Sequence, residues 1–387
     1  ADAGSAKWVA FSKIEPAGGL LWSFTHRVID SVTTKKYSRP SIVASGTDNF
    51  TMMYIEESGN FPGVTSNMYA QQFDADGAKI WNTATHVSTK TIPYFYFPRI
   101  ESDLNGGFFI SFNTSNAVIS SQTDVYVQHV SATGTLWNAT GNVATTLTNS
   151  QHFVAGAAAL YDSVNYAVWV LLKITDVSQG MSGVSLQKFD TLGTVLLNSN
   201  GVSLATLSSN YNDPRDFCIT NDGVIAVYSI GSNSLQQTLT AVKCDLAGNP
   251  AWNGNPVTIC SYLSGKDDLS SGLYVNNQVV FVWDDARNDY GVYAQNINNN
   301  GTLGIPTGID NHSSNTLFCA YPVPFTNELQ LHFSDSKNNQ LKVYDAKGIL
   351  IYSDLINLPD CLINTSQWSK GIYLIETNKN ISKVVKN

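Results

Sequence analysis

The stretch YAQQFDADGAKIW, residues 69–81, reads as a β-hairpin: apolar residues in alternation, an Asp-x-x-Gly turn and a closing tryptophan. Variants recur as YVQHVSATGTLW (126–137), SLQKFDTLGTVLL (185–197), TAVKCDLAGNPAW (240–252) and YAQNINNNGTLG (293–304), and FSKIEPAGGLLW stands at 11–22. Aligning the turn glycines Gly19, Gly77, Gly134, Gly193, Gly248 and Gly301 gives spacings of 58, 57, 59, 55 and 53 residues. A period of that length marks stacked or radial copies of one supersecondary unit. Asp and Gly suit the turn, through side-chain-to-backbone bonding and tolerance of positive φ.

Each repeat also carries a second pair of short segments rich in β-branched and aromatic residues. These are PSIVAS and NFTMMYI, PRIESD and GGFFISF, VAGAAAL and NYAVWVLL, PRDFCIT and GVIAVYS, LSSGLYV and QVVFVWD. With two strands from the YAQ hairpin, every repeat holds four short antiparallel strands, the content of one propeller blade. A ring lets each sheet cover its neighbour and leaves few free edges. The reading is therefore all-β: a β-propeller over residues 1–307, then a linker at 308–318 and a small Ig-like β-sandwich at 319–387. Five blades are favoured, with the N-terminal hairpin closing the ring against the last unit; six is the alternative. Trp22, Trp81, Trp137 and Trp252 are expected to pack between blades.

Composition fits this class. Of 387 residues 43% are hydrophobic, 11% aromatic and only 13% charged, with a net charge of -8. An acidic chain without a basic patch is a poor partner for nucleic acid. No apolar run approaches the roughly 20 residues of a spanning helix. The small residues of ADAGSAKW suggest that Ala1 is a mature N-terminus. Cys218, Cys244, Cys260, Cys319 and Cys361 form no CxxC motif. Buried thiols are the favoured reading, a Cys244–Cys260 bridge the alternative. Neither the histidines nor the acids show metal-ligand spacing, and no cofactor-binding loop appears. WDDARNDYG (283–291) and DADG (74–77) read as solvated hairpin loops.

After the polar GIDNHSSNT (308–316) the repeat stops. YPVPFTNELQLHF (321–333), LKVYDAKGILIY (341–352), INTSQWSKGIYLIETN (363–378) and SKVVK (382–386) follow, with alternation in Leu329, Leu331 and Phe333 and in Val343, Ile349 and Ile351. These residues resemble the type A C-terminal sorting domain of the type IX secretion system of Bacteroidota. The matching positions are Tyr321, Pro322, Pro324 and Phe325; Val343, Tyr344, Asp345 and Gly348; Ser366, Gly371, Ile372 and Tyr373; and Lys383, Val384, Val385 and Lys386. Val323 stands where the family has Asn, and Trp368 where it has Leu. The resemblance implies an export signal recognised by an outer-membrane translocon and its shuttle β-barrel, on a protein that is secreted or held at the cell surface. Tyr321, Pro322, Pro324, Phe325, Gly348, Gly371, Tyr373 and Lys383 to Lys386 are the recognition candidates it supplies.

Within the propeller, Arg39, Arg99 and Arg215 each neighbour a proline at the same place in the first strand of their repeats. If that strand is innermost, they point toward one end of the channel, where arginines can bind a carboxylate or sulfate through paired hydrogen bonds. Pairing with nearby acids such as Glu101 and Asp216 is the favoured reading. The turn lacks the spacing of a sialidase Asp-box, and no nucleophile elbow or phosphate loop is present. The propeller therefore reads as a non-catalytic binder of protein or glycan. The alternative is a polysaccharide hydrolase or lyase with its site at the channel mouth.

Overall fold

The computed structural model describes residues 7–16, 18–22, 27–29, 35–46, 48–60, 63–93, 97–115, 123–147, 152–287, 290–304, 318–333, 339–377 and 381–387. The linker expected at 308–318 lies outside these apart from Phe318, as do Asn288 and Asp289 of the acidic loop. The chain divides into two compact units, Ala1–Gly308 and Ile309–Asn387.

In the first unit a two-stranded ladder, β1 (Ala10–Phe11) with β2 (Arg27–Val28), precedes five antiparallel sheets. The first contains β3 (Lys36–Ser45), β4 (Asn49–Ser58), β5 (Thr65–Phe73) and β6 (Thr85–His86); the second β7 (Arg99–Ser102), β8 (Phe108–Ser115), β9 (Thr123–Val130) and β10 (Asn142–Val143). The third contains β11 (His152–Asp162), β12 (Ala167–Asp176), β13 (Ser182–Asp190) and β14 (Val202–Ser208); the fourth β15 (Tyr211–Thr220), β16 (Gly223–Asn233), β17 (Gln236–Asp245) and β18 (Val257–Ser264). Among the described residues the fifth has three strands, β19 (Lys266–Ser271), β20 (Gln278–Asp285) and β21 (Gly291–Asn298). Residues from all five first strands, Ser41, Arg99, Ala158, Arg215 and Leu269 among them, line one cavity. The unit is a β-propeller with those strands innermost.

Alternation explains how neighbouring sheets adhere. In β12, Val168, Val170 and Leu172 pack toward the second sheet with Phe109 and Val127, while Trp169 and Leu171 pack toward the fourth with Phe217 and Tyr228. A strand covered on both faces is apolar throughout, as AVWVLL is. Each fully buried side chain of this size contributes about 1.5–3 kcal/mol. Four such clusters join consecutive sheets, and a fifth sets Val9, Phe11 and Trp22 against Tyr54 and Phe73. The N-terminal hairpin thus occupies the place before the first blade. Among the described strands no backbone ladder joins it to the fifth sheet.

Two details differ from the expected hairpin. Its second arm makes only single bridges, such as Phe73 with Lys79 and Val130 with Leu136, and the fourth strand starts several residues later. In the first repeat the positive-φ glycine is Gly18 (φ 91), one residue before the Gly19 of the alignment. There Gly18 N–H donates to Glu15, as Gly77 N–H donates to Asp74.

The tryptophans do more than fill space. The indole N–H of Trp22, Trp81, Trp137 and Trp252 donates to a carbonyl in the next repeat's turn: Ala75 at 3.1 Å, Ala132 at 3.0 Å, Thr191 at 2.8 Å and Asn299 at 2.9 Å. The third repeat carries Leu197 instead, and there Lys188 Nζ reaches the Leu246 carbonyl at 2.8 Å. All five cysteines are free thiols; burial pushes Cys218 and Cys244 up to about 11.

The second unit stacks two sheets. One holds β22 (Phe318–Tyr321), β23 (Glu328–Phe333) and β26 (Asp360–Asn364). The other runs β25 (Leu350–Ile356), β24 (Asn339–Asp345), β27 (Gly371–Glu376) and β28 (Ile381–Lys386). Phe325, Leu329, Leu331, Leu341, Val343 and Ile375, all fully buried, form its core.

Candidate functional site

The propeller cavity is built by the innermost strands and by irregularities within them. Register shifts fall between Ser38 and Ser41 in β3, Gly156 and Ala158 in β11, Pro214 and Asp216 in β15, and Asp267 and Ser270 in β19. A bulge turns its residue out of the ladder, and Arg39 and Arg215 sit in two of them. Their fates differ. Arg39 lies over the Phe97 ring at 4.5 Å and is not among the residues lining the cavity. Arg215 is held by Ser229 at 3.1 Å, Gln237 at 2.9 Å, Asp213 at 3.4 Å and Asp267 at 3.6 Å. Arg99 opens β7, is exposed, and shares both cavity linings with Arg215. Two of the three arginines therefore share a cavity, and the acids that Arg215 pairs with are Asp213 and Asp267 rather than Glu101 or Asp216.

One side of the channel widens into a cavity of about 520 Å³ lined by Arg99, Gly156, Lys173, Asp213, Arg215 and Asp268, among others. Lys173 Nζ lies 2.7 Å from one Asp213 oxygen and over the Tyr211 ring at 4.6 Å, while Arg215 takes the other oxygen. Both oxygens of that carboxylate are thus engaged by cations. The next cavity, of about 410 Å³, is the one touched by all five innermost strands.

A second charged cluster, unforeseen in the sequence, is buried in the fifth blade. Asp285 is fully buried and contacts Lys266 at 3.0 Å, Arg287 at 2.6 Å, Trp283 at 3.1 Å and the Ser264 hydroxyl. The expected solvated loop at 283–291 is therefore wrong for Asp285, which turns inward. Burial raises its pKa, but the hydrogen bonds from Arg287, Ser264, Lys266 and Trp283 outweigh that and hold it well below the usual carboxylate range. Lys266 and Arg287 were the available signal: Lys266 faces Asp285 across the β19–β20 ladder, and Arg287 follows two residues after Asp285.

In the second unit the candidate recognition residues fall into two groups. Phe325, Tyr373, Val384 and Lys386 are buried. Lys386 Nζ donates to the carbonyls of Thr365 at 2.6 Å and Trp368 at 2.8 Å, and Tyr373 Oη donates to Ser369 at 2.6 Å. Phe325 N–H donates to Val385 at 2.9 Å, tying the YPVPF segment to the last strand. Tyr321, Pro322, Pro324, Gly348, Gly371 and Lys383 are exposed, and Val385 is half-buried. Gly348 (φ 80) closes a turn in which Asp345 accepts from Lys347 and Ile349, the same device as Asp74 with Asp76 and Ala78. Among the described residues no helix is long and apolar enough to cross a membrane.

No curated protein matches the chain. Among solved structures it is similar in fold to a puromycin hydrolase (13% identity, 81% of this chain and 46% of that one, TM-score 0.45). Prolyl oligopeptidase B from Galerina marginata is 9% identical over 90% of this chain and 45% of that one (TM-score 0.42). PorZ, a surface component of the type-IX secretion system of Porphyromonas gingivalis, is 8% identical over 94% of this chain and 72% of that one (TM-score 0.25). The chain spans less than half the length of the first two. Residues 319–387 match the family model described as the secretion system C-terminal sorting domain. They are a type IX C-terminal sorting domain, which marks the chain for export to the cell surface or the medium.

Proposed function

We propose that the protein is a cargo of the type IX secretion system whose propeller, residues 1–307, is a non-catalytic module binding a protein or glycan ligand. Residues 308–318 tether it to the sorting domain, 319–387, which the outer-membrane translocon and its shuttle barrel read. The match of residues 319–387 to the sorting family carries this reading. The binding role is supported by the channel cavity, where three cationic side chains converge and both oxygens of Asp213 are engaged by Lys173 and Arg215. Exposed β25 suits capture by strand addition, the way sheet edges take up partner chains.

The test is mass spectrometry of medium and membrane fractions from cells producing the full chain or the chain lacking 319–387. Export is expected to require the deleted residues; undiminished export without them refutes the cargo reading.

A further inference from the structure

We propose that the cavity beside Arg99 binds the carboxylate or sulfate of an acidic saccharide, with Arg99 as the anion-contacting residue. The inference rests on the reading of the propeller as a binding module.

Four observations support it. First, Arg99 is exposed at both cavities, and among the described residues its guanidinium has no hydrogen-bond or ion-pair partner. A guanidinium offers a planar fork that matches a carboxylate or sulfate. Second, Lys173 and Arg215 share the cavity and are already fixed, by Asp213 in both cases and by Ser229 and Gln237 for Arg215. Held side chains lose little freedom when a ligand arrives. Third, the lining of the larger cavity brings Arg99, Lys173 and Arg215 together, and of the acids nearby Asp213 and Asp267 are engaged by Lys173 and Arg215, not by Arg99. Fourth, β11 contributes only Ala155 and Gly156 to the larger cavity, so beside Lys173 that strand places no bulky side chain in it.

The lining also separates saccharide classes. Among the described residues no aromatic ring lines either cavity, and the polar side chains there are Arg99, Lys173, Asp213, Arg215, Asp216 and Asp268 with two serines. Charge is the recognition those residues offer. A volume of about 520 Å³ falls within the range of small-ligand sites.

Isothermal titration calorimetry on the full chain would compare a uronate oligosaccharide, a sulfated oligosaccharide, a neutral oligosaccharide of equal length and an oligoglutamate. Binding of the uronate, the sulfated sugar or both is expected, weaker at high salt and absent for the neutral sugar. Arg99→Ala is expected to weaken it about tenfold or more. Arg39→Ala, outside the cavity, should leave it unchanged. The two sugar arms tell a carboxylate from a sulfate. Unaltered binding by Arg99→Ala, equal binding of the neutral sugar, binding of oligoglutamate alone, or no binding of either acidic sugar would each overturn the proposal. Neutral-sugar binding indifferent to Arg99 would leave the binding-module reading standing while removing this one.

Discussion

The indole Nε1 of Trp137 lies 2.8 Å from the carbonyl oxygen of Thr191, across the boundary between the second and third blades. The same bond joins three other pairs of repeats, so each of these four tryptophans is a strut fastened to the next turn. Trp137→Phe keeps most of the ring's packing and removes only the donor. It is expected to cost about 1 kcal/mol. Gly193→Ala should cost more, about 1–3 kcal/mol. The new Cβ would sit 2.9 Å from the Trp137 ring and 2.3 Å from Asn142, at φ 89. Urea midpoints of the two variants check the order; a Gly193→Ala protein as stable as the parent would refute the close approach.

Asp285 predicts how stability responds to acid. Burial raises its folded-state pKa, but hydrogen bonds from Arg287, Ser264, Lys266 and Trp283 outweigh that and hold it below the ordinary aspartate value of 3.8. A depressed carboxyl binds fewer protons folded than unfolded, so its contribution is complete above the unfolded value and fades as pH falls below about 4. Asp285→Asn leaves Lys266, which is 1% exposed on its side chain, without its counter-charge. A loss of about 3–5 kcal/mol at neutral pH is expected. Denaturant titrations from neutral to acidic pH should show that the variant has lost part of the acid dependence. Identical pH profiles would show that the pair does not control it.

Recognition and folding separate within the sorting domain. Lys386 donates two hydrogen bonds to buried carbonyls, and charge-assisted bonds are worth about 1.5–3 kcal/mol each. Lys386→Ala should therefore lower the unfolding transition of the C-terminal unit in calorimetry of the full chain, without moving the propeller's. Lys383 is exposed in the same motif. Lys383→Ala should leave that transition in place, so any export defect it causes reports contact with the machinery. Equal thermal effects of the two variants would contradict this division.

The repeats were legible because a hairpin turn demands chemistry that few residues supply. Asp74, Asp190 and Asp245 each accept backbone N–H groups two and four residues on, and a positive-φ glycine follows each. The fourth strands were less legible, since β6 and β10 are two-residue ladders held by register rather than by composition. The arginines show why shared position does not give shared role. Arg39, Arg99 and Arg215 occupy like places, yet a bulge with Phe97 nearby turns one aside and Gln237 anchors another. The Asp285 cluster escaped because its members reach it from separate segments. Their pairing depends on tertiary packing that letters in a row do not encode.

The glutamine of the hairpin motif gives the last test. Gln128 and Gln187 are fully buried, which is costly unless every polar atom is satisfied. Gln128 Nε2 donates to Asn138 at 2.7 Å and to Val87 of the preceding blade at 3.2 Å, while its Oε1 accepts from His129 and Trp137. Gln187 likewise bridges Asn198 and Ala144, each at 2.9 Å. Gln295 bonds only to its neighbour Asn296 among the described residues. Leucine at 128 or 187 would keep the volume but strand several backbone groups, at about 1–3 kcal/mol for each group left unpaired. Gln295→Leu strands fewer and should cost less than either. Denaturation midpoints in the order Gln295→Leu above Gln187→Leu and Gln128→Leu would establish these side chains as blade-to-blade ties. A Gln128→Leu protein no weaker than Gln295→Leu would reduce them to fillers, and the adhesion between blades would then rest on the apolar clusters, the tryptophan struts and bonds such as that of Lys188 to Leu246.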